Sequence, residues 1–338
     1  MVDRRRVAGV TIAVVGGAML IVWALTGGIG YPTIALDDAG EWSQAPDDDL
    51  QVRSNVTIEN PNPTGVIVDG RTTVITDLTV NNVSVATANH TELGIGTGES
   101  RHRLDTPIDP EGIEHWWPRF IEDGETITGE HTVELVFDGI RNETVRMDQY
   151  RVDSLANDTP LLDTFDHAVR QLAGEYGASD SRNGAEFVHV ELINPGVTWQ
   201  SAYRDETTLR LRYVIRNHGE LSVPATPQRV TGEVRANDIP IFEIDSEPTL
   251  LAGSTLLMPG SGDNVAIGIE MRQKNLTKWF TEHVVRGEQT TFEVTFRLEF
   301  EHPVTGLTFT IPDEDLVEAT CTIQTSIFID QQDGTVTC

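Results

Sequence analysis

The sequence predicts a mainly β protein: two antiparallel β-sandwich domains, each with a short helix, preceded by one transmembrane helix. Three observations predict it. Apolar and polar residues alternate with period two through most of the chain after residue 50. An uncharged apolar run occupies the start, and two stretches 156 to 163 residues apart carry the same landmarks in the same order. The 338 residues, with 29 Gly, 16 Pro and 2 Cys, suit two domains of ordinary size and are too poor in cysteine for a disulfide-framed scaffold.

Residues 1–6 read as a cytoplasmic N-terminus and 7–29 as a membrane-spanning helix, about 34 Å long at 1.5 Å per residue. Arg4, Arg5 and Arg6 precede the run, while Asp37, Asp38 and Glu41 follow it, so the positive-inside rule places the remainder outside the cell. A cleaved signal peptide is the competing reading, but its apolar region runs ~7 to 15 residues, and Ala24-Leu25-Thr26-Gly27 is a poor cleavage site. Residues 30–49, rich in Asp, read as an acidic tether.

Beyond the tether, Val52, Val56 and Ile58 alternate with Arg53, Asn55, Thr57 and Glu59, the pattern of a half-buried strand. It returns at Val74 to Val80, Val133 to Phe137, Leu209 to Ile215, Val265 to Met271, Phe292 to Phe300 and Ala319 to Ile329. One apolar face per strand means antiparallel sheets packed face to face. Asp109-Pro110 opens a short helix carrying Ile113, Trp116, Trp117, Phe120 and Ile121, stopped by Gly124 and shortened or kinked by Pro118. Asn275 caps a second, carrying Leu276, Trp279, Phe280, His283 and Val284 and stopped by Gly287. A third runs from Thr159-Pro160 to Gly177.

The first two helices expose the repeat. Trp116-Trp117 to Gly124-Glu125, followed by the strand to Asp138, is matched by Trp279-Phe280 to Gly287-Glu288 and the strand to Glu299. Upstream, Val56 to Asn60 matches Tyr213 to Asn217, and Asn81 to Val85 matches Asn237 to Ile241. The two copies span 50–155 and 185–330, with a helical linker at 156–184 and a tail at 331–338.

Lys+Arg 24 against Asp+Glu 53 gives a net charge of −29, which repels phosphate backbones and excludes nucleic acid as a partner. Only Lys274 and Lys278 are lysines, and such an acidic, lysine-poor surface suits a salt-loving organism, where salt screens the self-repulsion. No catalytic constellation emerges. The nine histidines form no H-x-x-x-H pair, two distant cysteines supply no zinc spacing, and Gly94 to Ser100 lacks the lysine of a phosphate loop, so no metal, cofactor or enzyme activity is expected.

Six N-x-[ST] sequons stand at Asn55, Asn82, Asn89, Asn142, Asn157 and Asn275. The first four are glycosylation candidates, whereas Asn275 serves as a helix cap and Pro160 weakens Asn157. Cys321 reads first as a buried thiol on the last strand, although an outside compartment also permits a bridge to Cys338. Trp116, Trp117, Phe120, Trp279 and Phe280 read first as plugs sealing a sandwich end and alternatively as the wall of an apolar pocket.

The first copy resembles the LEA type 2, or WHy (water stress and hypersensitive response), domain family. The strand into Asn60-Pro61-Asn62-Pro63 matches the family's N-P-N, and Val80 to Ala86 stands for its hairpin, with Asn82 replacing the usual glycine. The second copy departs further, with Asn217-His218-Gly219 in place of N-P-N and Asn194-Pro195-Gly196 as an echo. The resemblance implies small β-sandwiches with one helix and no catalytic residues, associated with desiccation and salt stress, some holding lipid in a groove. From the residues themselves, Asn60 and Asn62 would bond the backbone of their own turn while Pro61 and Pro63 stiffen it. The resulting expectation is a membrane-anchored protein that binds or protects surfaces outside the cell, touching the bilayer through its N-terminal helix. A lipid carrier and an envelope-structural or adhesion module are the alternatives.

Overall fold

The computed structural model describes residues 32–38, 40–44, 50–61, 72–91, 93–137, 141–146, 159–179, 186–302, 306–313, 315–325 and 335–338. The 7–29 run lies outside them, and among the described residues no helix is long and apolar enough to cross a membrane.

The N-terminal half comprises β1 (Thr33–Leu36), β2 (Glu41–Gln44), β3 (Leu50–Asn60), β4 (Thr72–Val80), β5 (Val83–His90), β6 (Gly98–Pro107), helix α1 (Pro110–Glu122), β7 (Gly129–Phe137) and β8 (Arg141–Arg146). β3 pairs with β6 on one side and with β1 and β2, end to end, on the other. β5-β4-β7-β8 forms the second sheet. Alternation turns Val56, Ile58 and Leu104 of the first sheet inward against Val74, Val133 and Leu135 of the second. Each such buried side chain contributes ~1.5 to 3 kcal/mol over leaving it in water.

The C-terminal half follows with α2 (Pro160–Arg170), β9 (Gly174–Ser179), β10 (Glu186–Ala202), β11 (Glu206–Asn217), β12 (Val223–Pro224), β13 (Arg229–Ala236), β14 (Ile239–Ser246), β15 (Thr249–Ala252) and β16 (Leu256–Leu257). It continues with β17 (Gly262–Gln273), helix α3 (Leu276–Val285), β18 (Gln289–Glu301), β19 (Thr308–Ile311), β20 (Val317–Gln324) and β21 (Thr335–Thr337). One ladder runs β21-β20-β18-β13-β14-β17-β11-β10-β9. At its centre only Phe242↔Gln273 and Glu243↔Arg272 join β14 to β17, so the ladder turns a corner there. Leu209, Leu211 and Ile267 on one limb and Val234, Val294 and Phe296 on the other belong to one buried cluster, and α2 packs against β10, β18 and β20.

Several details recur between the halves. Asn81-Asn82 and Asn237-Asp238 each occupy a two-residue hairpin turn with positive φ at both positions, 48° and 62° in the first and 51° and 66° in the second. This is the turn whose twist matches paired strands, and Asn and Asp tolerate it. The register slips at Leu78/Thr79 in the first hairpin and at Val234/Arg235 in the second, both just before the turn. The Asn81 N–H donates to the Thr128 carbonyl and the Asn237 N–H to the Thr291 carbonyl, tying each turn to the strand after the helix.

Three sequence expectations are corrected. The segment predicted as an acidic tether contains β1 and β2. Its acidic residues act as local acceptors: Asp37 takes the Thr57 hydroxyl, and Asp38 takes the backbone N–H of Gly40 and of Asn55 and the Asn55 side-chain amide. Ile34 and Leu36 meanwhile alternate into the core. The third helix ends at Arg170 instead of reaching Gly177, because Gly174 and Gly177 are poor helix residues and β9 satisfies its backbone by pairing with β10. Cys321 is no free thiol: β21 pairs with β20 and brings Cys338 over it, and the two form a disulfide.

Candidate functional site

The residues singled out as plugs converge where the halves meet. Pro110 starts α1, with the Asp109 carboxylate accepting the Glu111 N–H at 3.0 Å. The helix runs through Pro118 to Glu122 without being shortened, its inner face holding both turns by burying Ile113, Trp116, Trp117, Phe120 and Ile121. Gly112 lets it lie directly on β5, since a Cβ there would stand 2.6 Å from the Ser84 carbonyl oxygen. Asn275 holds the cap position of α3, but its backbone is left-handed and its side-chain amide donates to the Pro240 carbonyl at 3.0 Å instead of accepting from the helix.

α1 and α3 face each other across an aromatic seam. Trp116 and Trp279, equivalent positions of the repeat, stack at 6.5 Å with 18° between their planes. Trp116 meets Phe280 edge-on at 5.8 Å, and Trp117 meets Trp279 edge-on at 6.0 Å, so the contacts are exchanged reciprocally, as across a two-fold axis. Phe120 closes on both N-terminal tryptophans, and Phe242 packs on Trp117 at 5.3 Å. All five predicted residues are at most 3% exposed. The indoles are satisfied as well: Trp116 donates to Asn81 Oδ1 at 3.1 Å, Trp117 to Thr207 Oγ1 at 3.1 Å and Trp279 to Thr290 Oγ1 at 3.0 Å.

Beside the rings lie two buried glutamates that sequence reasoning missed. Glu125 and Glu288 each follow a positive-φ glycine at a helix end and each have a left-handed backbone, with φ of 60° and 59°. That conformation is costly for Glu and persists only where the surroundings over-determine it. The Glu125 carboxylate accepts the N–H groups of Leu161 at 2.7 Å and Leu162 at 3.0 Å, and the Trp199 indole N–H at 2.7 Å. The Glu288 carboxylate accepts the Trp42 indole N–H at 2.9 Å. Trp42 and Trp199 sit opposite Val52 and Leu209, 157 residues apart on equivalent strands. Each half therefore extends a strand tryptophan to the other half's post-helix glutamate. Burial pushes Glu125 up to about 7, outweighing the Trp199, Leu161 and Leu162 donors that pull it down, with Asp163 adding a smaller push upward.

On the Glu288 side a hydrogen-bonded chain continues inward. Thr290 Oγ1, which accepts from Trp279, lies 2.8 Å from His283 Nδ1, His283 Nε2 lies 2.9 Å from Thr325 Oγ1, and Thr325 donates to Glu288 at 3.0 Å. Burial pushes His283 down to about 4, against a smaller upward pull from the Gln289 backbone, so the ring is neutral at pH 7.

The other predicted positions stay apart from the seam. Asn60 is buried at the far end of β3, and its side-chain amide donates to the Gly96 carbonyl at 2.9 Å. Pro61 is exposed, and Asn62 lies outside the described residues. Asn55, Asn82 and Asn89 are exposed, while nothing is described of the Asn142 and Asn157 side chains. His189 and His218 come within 5.5 Å, ring to ring, on neighbouring strands, yet among the described residues no three donors are placed to hold a metal. A groove of about 630 Å³ opens on the C-terminal half, lined by Arg229, Asp245, Glu247, Glu299, Glu301 and Phe309, and it is polar. It lies at the end of β13 remote from the Asn237-Asp238 turn.

No family model matches the chain, and no curated protein sequence matches it. Among solved structures, the chain is similar to a protein from Archaeoglobus fulgidus at 14% identity and a TM-score of 0.30, over 38% of this chain and 95% of that one. It is also similar to the exo-beta-D-glucosaminidase CsxA (10% identity, TM-score 0.17, 77% of this chain) and the exo-chitosanase CsxA of Amycolatopsis orientalis (12%, 0.18, 81%). It spans about a quarter of those two chains, 25% and 26%. Likenesses this weak carry neither a fold nor a function to the chain.

Proposed function

We propose that this chain is a single-pass membrane protein displaying two LEA type 2-like sandwiches outside the cell, acting by protecting or binding surfaces without catalysis. One observation carries the choice between display and carriage. The tryptophans and phenylalanines that a lipid carrier would need as a pocket wall are packed ring to ring and spent on joining the two halves. What faces solvent is acidic, and even the 630 Å³ groove is lined mainly by charged and hydroxyl side chains, which suits a hydrated coat and does not suit an acyl chain. Membrane attachment rests on the apolar 7–29 run and the arginines before it. Asn55, Asn82 and Asn89, all exposed, remain sugar-acceptor candidates for an outward-facing chain.

Protease added to intact cells carrying the full chain with a C-terminal epitope should remove the epitope, and full protection would refute the topology. The full chain extracted from membranes should carry no lipid in fixed proportion after exhaustive detergent exchange. Stoichiometric lipid, identified by mass spectrometry and lost on substitution of Trp116, would make it a carrier instead.

A further inference from the structure

In so acidic a chain most cations stand against a carboxylate, as Arg53 does on Asp105, Arg204 on Glu114, Arg229 on Asp245 and Lys274 on Glu243. Among the described residues Arg210 and Arg212 break that rule and have no ion pair. Alternate residues of a strand share a face, so the two stand side by side on the outer face of β11, roughly 7 Å apart along it, while Leu209, Leu211 and Tyr213 point into the core. Their cross-strand neighbours are uncharged: Thr198 and Gly268 for Arg210, Gly196 and Ala266 for Arg212. Arg216 on the same face has Glu191 opposite and pairs with it at 3.6 Å. Acidic groups of adjoining elements are engaged elsewhere, since Glu206 and Glu270 line a separate groove with Arg272, and Asp166, beside Gly196, is held by Arg170 at 2.6 Å. Arg210 Nε is moreover buried without a hydrogen-bond partner, a donor that costs free energy until an acceptor reaches it.

We propose that the outer face of β11 holds a small oxyanion, sulfate or phosphate, between Arg210 and Arg212. Each guanidinium offers a planar fork of N–H groups that matches two oxygens at once, and an oxyanion lying side-on to Arg210 accepts from Nε and a terminal N–H together. Thr198 and Thr208 stand on the same face with hydroxyls that can donate to the remaining oxygens. The chain's net negative charge does not forbid the contact. In molar salt the screening length is about 3 Å, so carboxylates on other faces hardly act and the groups that touch the anion decide. The site goes beyond the display role, since it names one ligand class that the displayed surface takes up.

The test is equilibrium dialysis of radiolabelled inorganic sulfate, and separately of inorganic phosphate, against the full chain in detergent at molar sodium chloride. Binding is read directly because sulfate stabilises folded chains by exclusion from their surface, without occupying a site. At least one of the two anions should bind saturably, at one per chain. Arg212→Gln, a change at an exposed position that leaves the core untouched, should weaken binding roughly tenfold, the scale of one charge-assisted contact, and Arg210→Gln at least as much. Arg210→Lys, which keeps the charge and loses the fork, should not restore the native affinity. Arg216→Gln removes a cation already committed to Glu191 and should change affinity less than about twofold. No saturable binding of either anion, an unchanged affinity in Arg212→Gln, or an equal loss in Arg216→Gln would each overturn the site.

Discussion

Replacing Trp116 by alanine tests the seam most directly. The side chain is 1% exposed, its ring touches Phe120 in its own half and Trp279 and Phe280 in the other, and its N–H donates to Asn81. Truncating a buried Trp costs roughly 3 to 5 kcal/mol in lost transfer and cavity terms. The lost hydrogen bond adds about 1 kcal/mol, since Asn81 Oδ1 keeps only its long contact with the Thr128 N–H at 3.5 Å. A total of about 4 to 6 kcal/mol is a large part of what a domain has. Urea titration of the full chain in detergent at molar salt should show this loss, with transitions for the two halves shifting together because the ring serves both. Combined with Trp279→Ala, the double-mutant cycle should return about 1 kcal/mol of coupling, the scale of an aromatic pair. A loss below about 1.5 kcal/mol, or a shift confined to the N-terminal half, would refute the view that Trp116 is a dry plug shared by both halves.

The region from 37 to 338 holds 21 basic and 52 acidic residues, a net of −31, so the melting temperature should climb steeply from low to molar salt, and a salt-independent value would refute the screening argument. His283, held near 4 against about 6.5 unfolded, contributes stability that is present above pH 6.5 and lost as pH falls toward 4, the reverse of Glu125. Relative to the native profile between pH 4.5 and 6.5, Glu125→Gln should gain stability as pH rises and His283→Gln should lose it; parallel profiles in denaturant titrations would contradict both assignments. The Cys321–Cys338 bridge closes a short loop, so replacing both by serine should cost about 3 kcal/mol or less, and the native chain should show no titratable thiol before reduction.

Elements whose cause is local were legible in the sequence. Alternation marked the inward rows of β3, β11 and β18, because a pleated strand buries every second residue whatever it packs on. Pro110 and Gly124 bounded α1, and the Asn81-Asn82 pair of the repeat recurs as Asn237-Asp238 at turns where a backbone with positive φ admits few residue types. The repeat was legible for the same reason: two copies of a local pattern need no knowledge of what they touch. β1 and β2 were not, because four-residue strands flanked by aspartates match a tether in composition, and only β3 beside them supplies partners for their backbone.

What tertiary structure decided was the pairing across the repeat. The five aromatic residues are buried, and that the two sets form one cluster follows only from α1 and α3 facing each other. Trp42 and Trp199, like Glu125 and Glu288, carried the right spacing in the sequence, 157 and 163 residues, but nothing local says that a tryptophan in one copy reaches the glutamate of the other. The same holds for Cys338, which joins Cys321 only because β21 folds back onto β20. Local periodicity records that a face is hidden. Which face hides it is settled by contacts distant in sequence, where a buried carboxylate with three long-range N–H partners looks, in one dimension, like any other glutamate in an acidic chain.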